Sequence, residues 1–227
     1  MRIEPLGDSA LLVRVGETFD AEQSLDAVLR ATEQLEAAQI RGVLDLAPAY
    51  TTIGIFFDPA QTGSFDELRS NIEHVLQAME PARPRAGGEM VIEVPVCYEG
   101  DFAPDLVQVA QHTALSPEEI VRRHASASYR VSCVGFTPGF PYLSGLPPEL
   151  ATPRRASPRK EIPAGAVAIG GTQTGIYPRK SPGGWNIIGR TPLRLFDVER
   201  NPPALFKAGD RVRFRKISRQ EFDEFPA

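Results

Sequence analysis

Proline and glycine are spread so unevenly along this chain that they divide it into two folding problems. Residues 1–80 hold 3 Pro and 5 Gly, whereas the remaining 147 hold 18 Pro and 14 Gly. Proline removes a backbone donor and fixes φ, and glycine permits left-handed turns. The first stretch can therefore sustain helices, and the second can do so only briefly. A domain boundary is predicted near Glu80, with the breaker-rich segment 81–89 as a linker and 90–227 as a second domain.

The first domain alternates strand and helix signals. Ile3 to Val15 holds a Gly7-Asp8 turn followed by ALLVRV, a strand pair. Asp20 is placed to cap a helix that carries Leu25, Val28, Leu29, Thr32 and Leu35 on one face. GVLDLAP and YTTIGIFFD read as two more strands. Ser64 with Glu67 forms a capping box before an apolar stripe of Leu68, Ile72, Val75, Leu76 and Met79. The order ββαββα implies a small α+β sandwich with its helices on one face. It carries no nucleophile motif, phosphate loop or carboxylate cluster, and a docking or scaffold role is expected of it.

The second domain opens with the strand MVIEVPVCY and two short helices, the second announced by Ser116-Pro117-Glu118-Glu119, an N-cap, a first-turn proline and a capping glutamate. His124 falls on that helix's apolar side and is expected to be half-buried and hydrogen-bonded, not catalytic. Short β runs follow: YRVSCVGF, AVAIGG, WNIIG, LRLFD and RVRFRKIS. Many short strands with turn residues between them imply a closed barrel or sandwich. The stretch VGFTPGFPYLSGLP, with 6 Gly or Pro among 14 residues, reads as a rigid loop bearing aromatics.

Several function classes lose support. The net charge is -4, against general nucleic-acid binding. No apolar run reaches the length of a membrane span, and Arg2, Glu4 and Asp8 interrupt any signal-peptide pattern, so a cytoplasmic protein is expected. Cys97, Cys133 and the three histidines match no zinc spacing, and no metal site is expected. Between Val134 and Pro192, seven Arg and Lys face two Glu, an excess of +5 on an acidic chain. That points to a small anionic ligand or an acidic partner. The Gly-rich loops IGGTQTGIYP and SPGGWNIIGRTP offer Thr172, Gln173, Thr174 and Ser181 as neutral polar groups, with Arg190 and the Arg154/Arg155 pair close in sequence. Such loops can hold a carboxylate, carbamate or phosphate, though glycine-rich β-turns often only turn.

The run from Gly135 to Asp197, with GFTPGFPYL, ATPRR, PAGAVAIGGTQTGIYP and SPGGWNIIGRTP in order, resembles the signature of the KipI/PxpB family. Its members are also described as 5-oxoprolinase subunits of the PxpB type, as allophanate hydrolase subunit 1, or as part of the urea carboxylase carboxyltransferase domain. PVCYEGDFAPDL and the N-terminal GDSALLV fit as well. The resemblance implies an N-terminal α+β domain followed by a cyclophilin-like β-barrel. It further implies a subunit, inactive alone, of an ATP-dependent 5-oxoprolinase that works with PxpC-like and PxpA-like partners to hydrolyse 5-oxo-L-proline to L-glutamate, through a phosphorylated lactam. A KipI-like histidine-kinase inhibitor and a urea or allophanate carboxyltransferase component are the alternatives. Arginine outnumbers lysine 21 to 4, unlike the Lys-rich coding of endospore formers, and no biotinyl lysine lies between methionines. The oxoprolinase subunit is the reading preferred, with ATP used by the complex.

At the expected site, the amides of Gly183 and Gly184 with Gln173 and Arg190 would stabilise a carboxylate or developing oxyanion. Phe140, Tyr142, Tyr177 and Trp185 would line the pocket with Thr172, Thr174 and Ser181 and exclude water. The competing expectation is that Phe140, Tyr142 and Trp185 plug the barrel.

Overall fold

The computed structural model describes residues 1–18, 20–77 and 91–226. The chain divides into two compact units, Met1–Gly88 and Glu89–Ala227. The expected linker 81–89, together with Met79 and Met90, lies outside the described residues.

The N-terminal unit runs β1 (Arg2–Pro5), β2 (Ala10–Arg14), α1 (Gln23–Ala38), β3 (Val43–Ala49), β4 (Thr52–Phe57), α2 (Pro59–Thr62) and α3 (Phe65–Gln77). Its sheet has the antiparallel order β1-β2-β4-β3. Alternation along β2 and β4 sends Leu11, Val13, Ile53, Ile55 and Phe57 to one face, where they meet Val28, Ala31 and Leu35 of α1 and Leu68, Ile72 and Leu76 of α3. Asp20 accepts the Glu22 and Gln23 amides at 2.9 and 2.5 Å. The Ser64/Glu67 box closes in both directions, at 2.7 and 3.2 Å.

The C-terminal unit runs β5 (Val91–Cys97), α4 (Leu106–Thr113), α5 (Pro117–Ser126), β6 (Tyr129–Val134), β7 (Pro141–Ser144), β8 (Arg159–Ile162), β9 (Ala166–Gly170), β10 (Gln173–Ile176), β11 (Ser181–Gly183), β12 (Asn186–Arg190), β13 (Arg211–Ile217) and α6 (Arg219–Asp223). Seven of these strands close a barrel in the order β10-β7-β6-β13-β5-β12-β9, while β8 and β11 form a separate ribbon. All seven barrel strands feed one apolar cluster, which is therefore the barrel interior; α4 and α5 add Leu106, Val109, Ile120 and Val121 to it.

Three local expectations are corrected. LRLFD is not a strand: it makes only an isolated bridge, Phe196 to Ala204, with Asp197 donating to Pro203 and Leu205 to Leu195, and Pro202 and Pro203 lack the N–H groups that would extend it. The aromatic stretch is a loop only as far as Phe140, after which Pro141 takes the first position of β7, where a strand tolerates it. Glu119 completes no capping box, since its carboxylate turns to Arg122 and Arg123, although Ser116 does accept the Glu119 amide at 3.2 Å. Among the described residues, no helix is long and apolar enough to cross a membrane.

Candidate functional site

Strand alternation decides which predicted residues can meet a ligand. Along β9, Val167 and Ile169 point into the barrel, whereas Ala166 and Ala168 join Phe140, Ile162, Tyr177, Trp185 and Ile187 in a second cluster, with Tyr142 packed against it. Only part of the barrel wall contributes to that cluster, so it lies on the outer surface. The aromatics do not plug the barrel; they lie on its outside.

Small residues make the floor on which they lie. A Cβ on Gly170 would collide with the Trp185 indole, one on Gly175 with Phe140, and one on Gly183 with the Tyr177 phenol. The rings meet edge to face: Phe140–Trp185 centroids are 5.7 Å apart, Phe140–Tyr177 5.1 Å, and Tyr142–Trp185 5.8 Å. Trp185 is 5% exposed, Tyr142 half-buried, and Phe136 62% exposed at a left-handed φ of 68°. A bulky residue in that region is uncommon and costs strain, and Phe136 rests edge-on to Phe140 at 5.6 Å. Burial raises the Tyr142 and Tyr177 hydroxyls, while a backbone hydrogen bond with Trp185 opposes this for Tyr177.

The expected pair of Gln173 and Arg190 does not come together. Gln173 pairs with Gly170 at one end of β9 and Arg190 with Ala166 at the other. Four residues separate those partners, about 13 Å of strand. The Arg190 Nε donates to the Ala164 carbonyl at 2.9 Å, and its guanidinium lies over Phe102 and Phe222, 5.4 and 5.9 Å from the ring centres. It belongs to the contacts that seat α6. Gln173, by contrast, sits beside Gly170 and hence beside the Trp185 indole.

Thr174 is turned inward and fully buried; its hydroxyl donates to the Ala168 carbonyl at 3.0 Å and so accepts from His124 Nε2, also at 3.0 Å. With both roles taken inside the wall, it is not a surface ligand group. His124 is more buried than expected. Its Nδ1 meets the Tyr98 hydroxyl at 2.9 Å, its ring stacks on Phe214 at 4.5 Å, and desolvation lowers its pKa to about 3. Thr172 is exposed, and Ser181 is buried with an Oγ that meets no partner among the described residues. Gly183 pairs with Arg159 in the β8/β11 ribbon, and the Gly184 carbonyl accepts the Arg155 amide at 2.7 Å. Gly183 serves close packing of the ribbon, where a Cβ would meet Tyr177 and Ile162.

No motif in the sequence announces Asp105. It is 2% exposed, and it takes four bonds, each 2.7 Å long: one from Arg155 Nη1, two from Arg159 and one from the Ile187 amide. The cation excess between Val134 and Pro192 was the signal that a buried counter-charge must exist. Arg154, next in line, is exposed and lies 5.7 Å from the centre of the Trp185 ring. A cavity of about 570 Å³ lies elsewhere in this unit, lined by Tyr98, Leu106, Pro117, Val121 and Lys216 among others; no predicted site residue lines it. Among the described residues, no group of three His, Cys, Asp or Glu side chains is placed to hold a metal.

Comparison with known proteins gives this architecture a family. The family described as "Carboxyltransferase domain, subdomain C and D" matches residues 1–206. A 5-oxoprolinase subunit from Bacillus subtilis is 40% identical over 99% of this chain and 96% of its own length. The 5-oxoprolinase subunit of the same name from Escherichia coli O157:H7 is 44% identical over 76% of this chain and 77% of its own. The crystal structure of TTHA0988 superposes with a TM-score of 0.79 at 38% identity over 92% of this chain; the chain spans 40% of that longer polypeptide.

Proposed function

The chain belongs to the family of the carboxyltransferase domain, subdomain C and D, and from that membership we propose that it is the PxpB-like subunit of an ATP-dependent 5-oxoprolinase that opens 5-oxo-L-proline to L-glutamate. The observation that carries this reading is the 40% identity, end to end, with the Bacillus subtilis 5-oxoprolinase subunit. The assembly includes PxpC-like and PxpA-like subunits, and this chain does not turn over substrate alone.

The outer aromatic face is the part of the chain that binds. A lactam ring is flat and largely apolar with one carbonyl and one N–H, and the rings of this face that reach solvent, Phe136 and Tyr142, backed by the buried Phe140, Tyr177 and Trp185, suit such a ligand. Tyr142 and Gln173 stand at the margin of this face. The glycines of these loops are no phosphate cradle, since Gly170, Gly175 and Gly183 are covered by Trp185, Phe140 and Tyr177. The nucleotide is assigned to the partners. No general base stands on this face among the described residues, so that role also passes to a partner. The complex is cytoplasmic, where the thiols of Cys97 and Cys133, neither in a disulfide, stay reduced.

The test is reconstitution. The chain is co-purified with PxpC-like and PxpA-like subunits from the same source, and ATP hydrolysis is measured with and without 5-oxoproline. Stimulation that requires all components is the expected result. Absence of stimulation from a fully assembled complex would remove the proposal.

A further inference from the structure

Three arginines, Arg154, Arg155 and Arg190, are equal candidates in the sequence for holding an anion near the Gly-rich loops. Their surroundings separate them. Arg190 is at the far end of β9 from the aromatic face and covers Phe102 and Phe222. Arg155, with Arg159, is bound to the Asp105 carboxylate. Arg154 makes no ion pair with a carboxylate among the described residues, and its guanidinium lies over the indole of Trp185.

We propose that Arg154, over the ring of Trp185 and close to Tyr142, is the subsite for the carboxylate of a small lactam acid, and that Asp105 is the positioning residue that keeps this one guanidinium available. The assignment of the subsite rests on the geometry; its ligand being 5-oxoproline rests on the function proposed above.

A guanidinium over an aromatic face keeps N–H groups free, and these match a carboxylate in two parallel bonds. Trp185 gives the guanidinium a fixed surface, since its ring is itself held by Gly170 beneath it and by Phe140 and Tyr142 at its sides. Asp105 does the rest: it binds both neighbouring arginines and the Ile187 amide, two residues beyond Trp185. The backbone bond from the Arg155 amide to the Gly184 carbonyl pins the loop to the residue before Trp185. One carboxylate against two arginines also leaves the surroundings of Arg154 positive, which draws an anion to this face.

Trp185 is the only tryptophan of the chain, so its fluorescence reports on the subsite directly. The full chain is titrated with 5-oxoproline, with acetate, and with the uncharged lactam 2-pyrrolidinone, in wild type, Arg154→Met and Arg190→Ala. In parallel, KM for 5-oxoproline is measured in the reconstituted complex. Expected are a saturable change with both carboxylates in wild type and Arg190→Ala, none with 2-pyrrolidinone, and at least tenfold weaker binding in Arg154→Met with an unchanged melting curve. In the complex, Arg154→Met raises KM at least tenfold and changes kcat less than threefold. Asp105→Asn raises KM in the same direction, and no such split arises from simple loss of stability. An acetate response that depends on Arg154, in a chain whose complex shows no oxoproline turnover, keeps the subsite and removes the proposed function. A response or KM effect that follows Arg190, or none from Arg154→Met in either measurement, overturns the subsite.

Discussion

The barrel interior and its outer aromatic face are built from similar side chains and finished differently. Inside, His124, Tyr98, Tyr129 and Thr174 use one another: Tyr98 and Thr174 hold the two imidazole nitrogens, Thr174 donates its proton to Ala168, and Tyr129 donates to the His124 carbonyl at 2.8 Å. Outside, Phe140, Tyr177 and Trp185 are as well buried, yet Tyr142 and Phe136 reach solvent. Around them the Thr137 and Ser181 hydroxyls and the Arg155 Nε meet no partner among the described residues. Buried polar groups that serve only the fold are expected to be paired. The contrast marks the interior as structural and the outer face as the part with capacity to spare.

The comparison breaks most readily at His124. His124→Ala removes a ring stacked on Phe214 and takes the acceptor from the buried Tyr98 hydroxyl, and a loss of about 3–5 kcal/mol is expected, read by chemical denaturation. The wild type carries a pH signature of the same residue. Its folded pKa is lowered to about 3 from 6.5, so the unfolded chain takes up a proton that the folded chain refuses. Stability from this group is complete above pH 6.5 and is lost as pH falls toward 3, at a slope of up to ~1.4 kcal/mol per pH unit. His124→Leu should be free of that part of the slope. Equal acid sensitivity in both proteins would refute the neutral, sealed histidine.

Legibility in the sequence followed the same division. The helices were readable because caps and apolar stripes are local: Asp20, Ser64 and Ser116 all accept amides where expected. Strands β6, β9, β12 and β13 were readable from their β-branched runs. Strands β7, β8, β10 and β11 were not, because each carries Pro, Gly or charge, and their pairing is decided by neighbours distant in sequence. PYLS becomes a strand because β6 and β10 flank it. Phe140, Tyr142, Tyr177 and Trp185 do gather in one cluster, as their loops suggest. Whether a residue faces in or out depends on register, however, and nothing local distinguishes Thr174 from Gln173. Proximity in sequence likewise suggested Arg190, which strand direction carries away from Gln173.

On the outer face the largest effect is expected from the charge that no motif announced. Asp105→Asn leaves Arg155 and Arg159 without their anion but keeps the bond from Ile187 possible. Both arginines are partly exposed, which moderates the cost of a broken buried pair to about 2 kcal/mol. Loss of stability below a few tenths of a kcal/mol would mean that the 151–160 segment holds its place without Asp105. Gly170→Ala asks a smaller question of the same face. The added methyl collides with the indole of Trp185, so a cost of about 1–2 kcal/mol is expected together with a red-shifted emission as the ring lifts toward water. An unshifted spectrum would place the strain in the barrel wall.

The smallest change separates the two ends of β9. Arg190→Ala gives up one bond to the Ala164 carbonyl and a place between Phe102 and Phe222, while Arg219 still covers Phe102 from 4.1 Å. Contacts of this kind at a partly exposed guanidinium are worth about 0.5–1 kcal/mol, so the melting point should fall slightly and the seating of α6 should loosen, seen as faster amide exchange over Arg219–Asp223. Trp185 emission should stay unchanged, because the indole lies on Gly170 and Arg190 pairs with Ala166, four residues away on β9. A shift in that emission would mean that the two ends of the strand are mechanically coupled, and Arg190 would then regain a part in the site through position and not through contact.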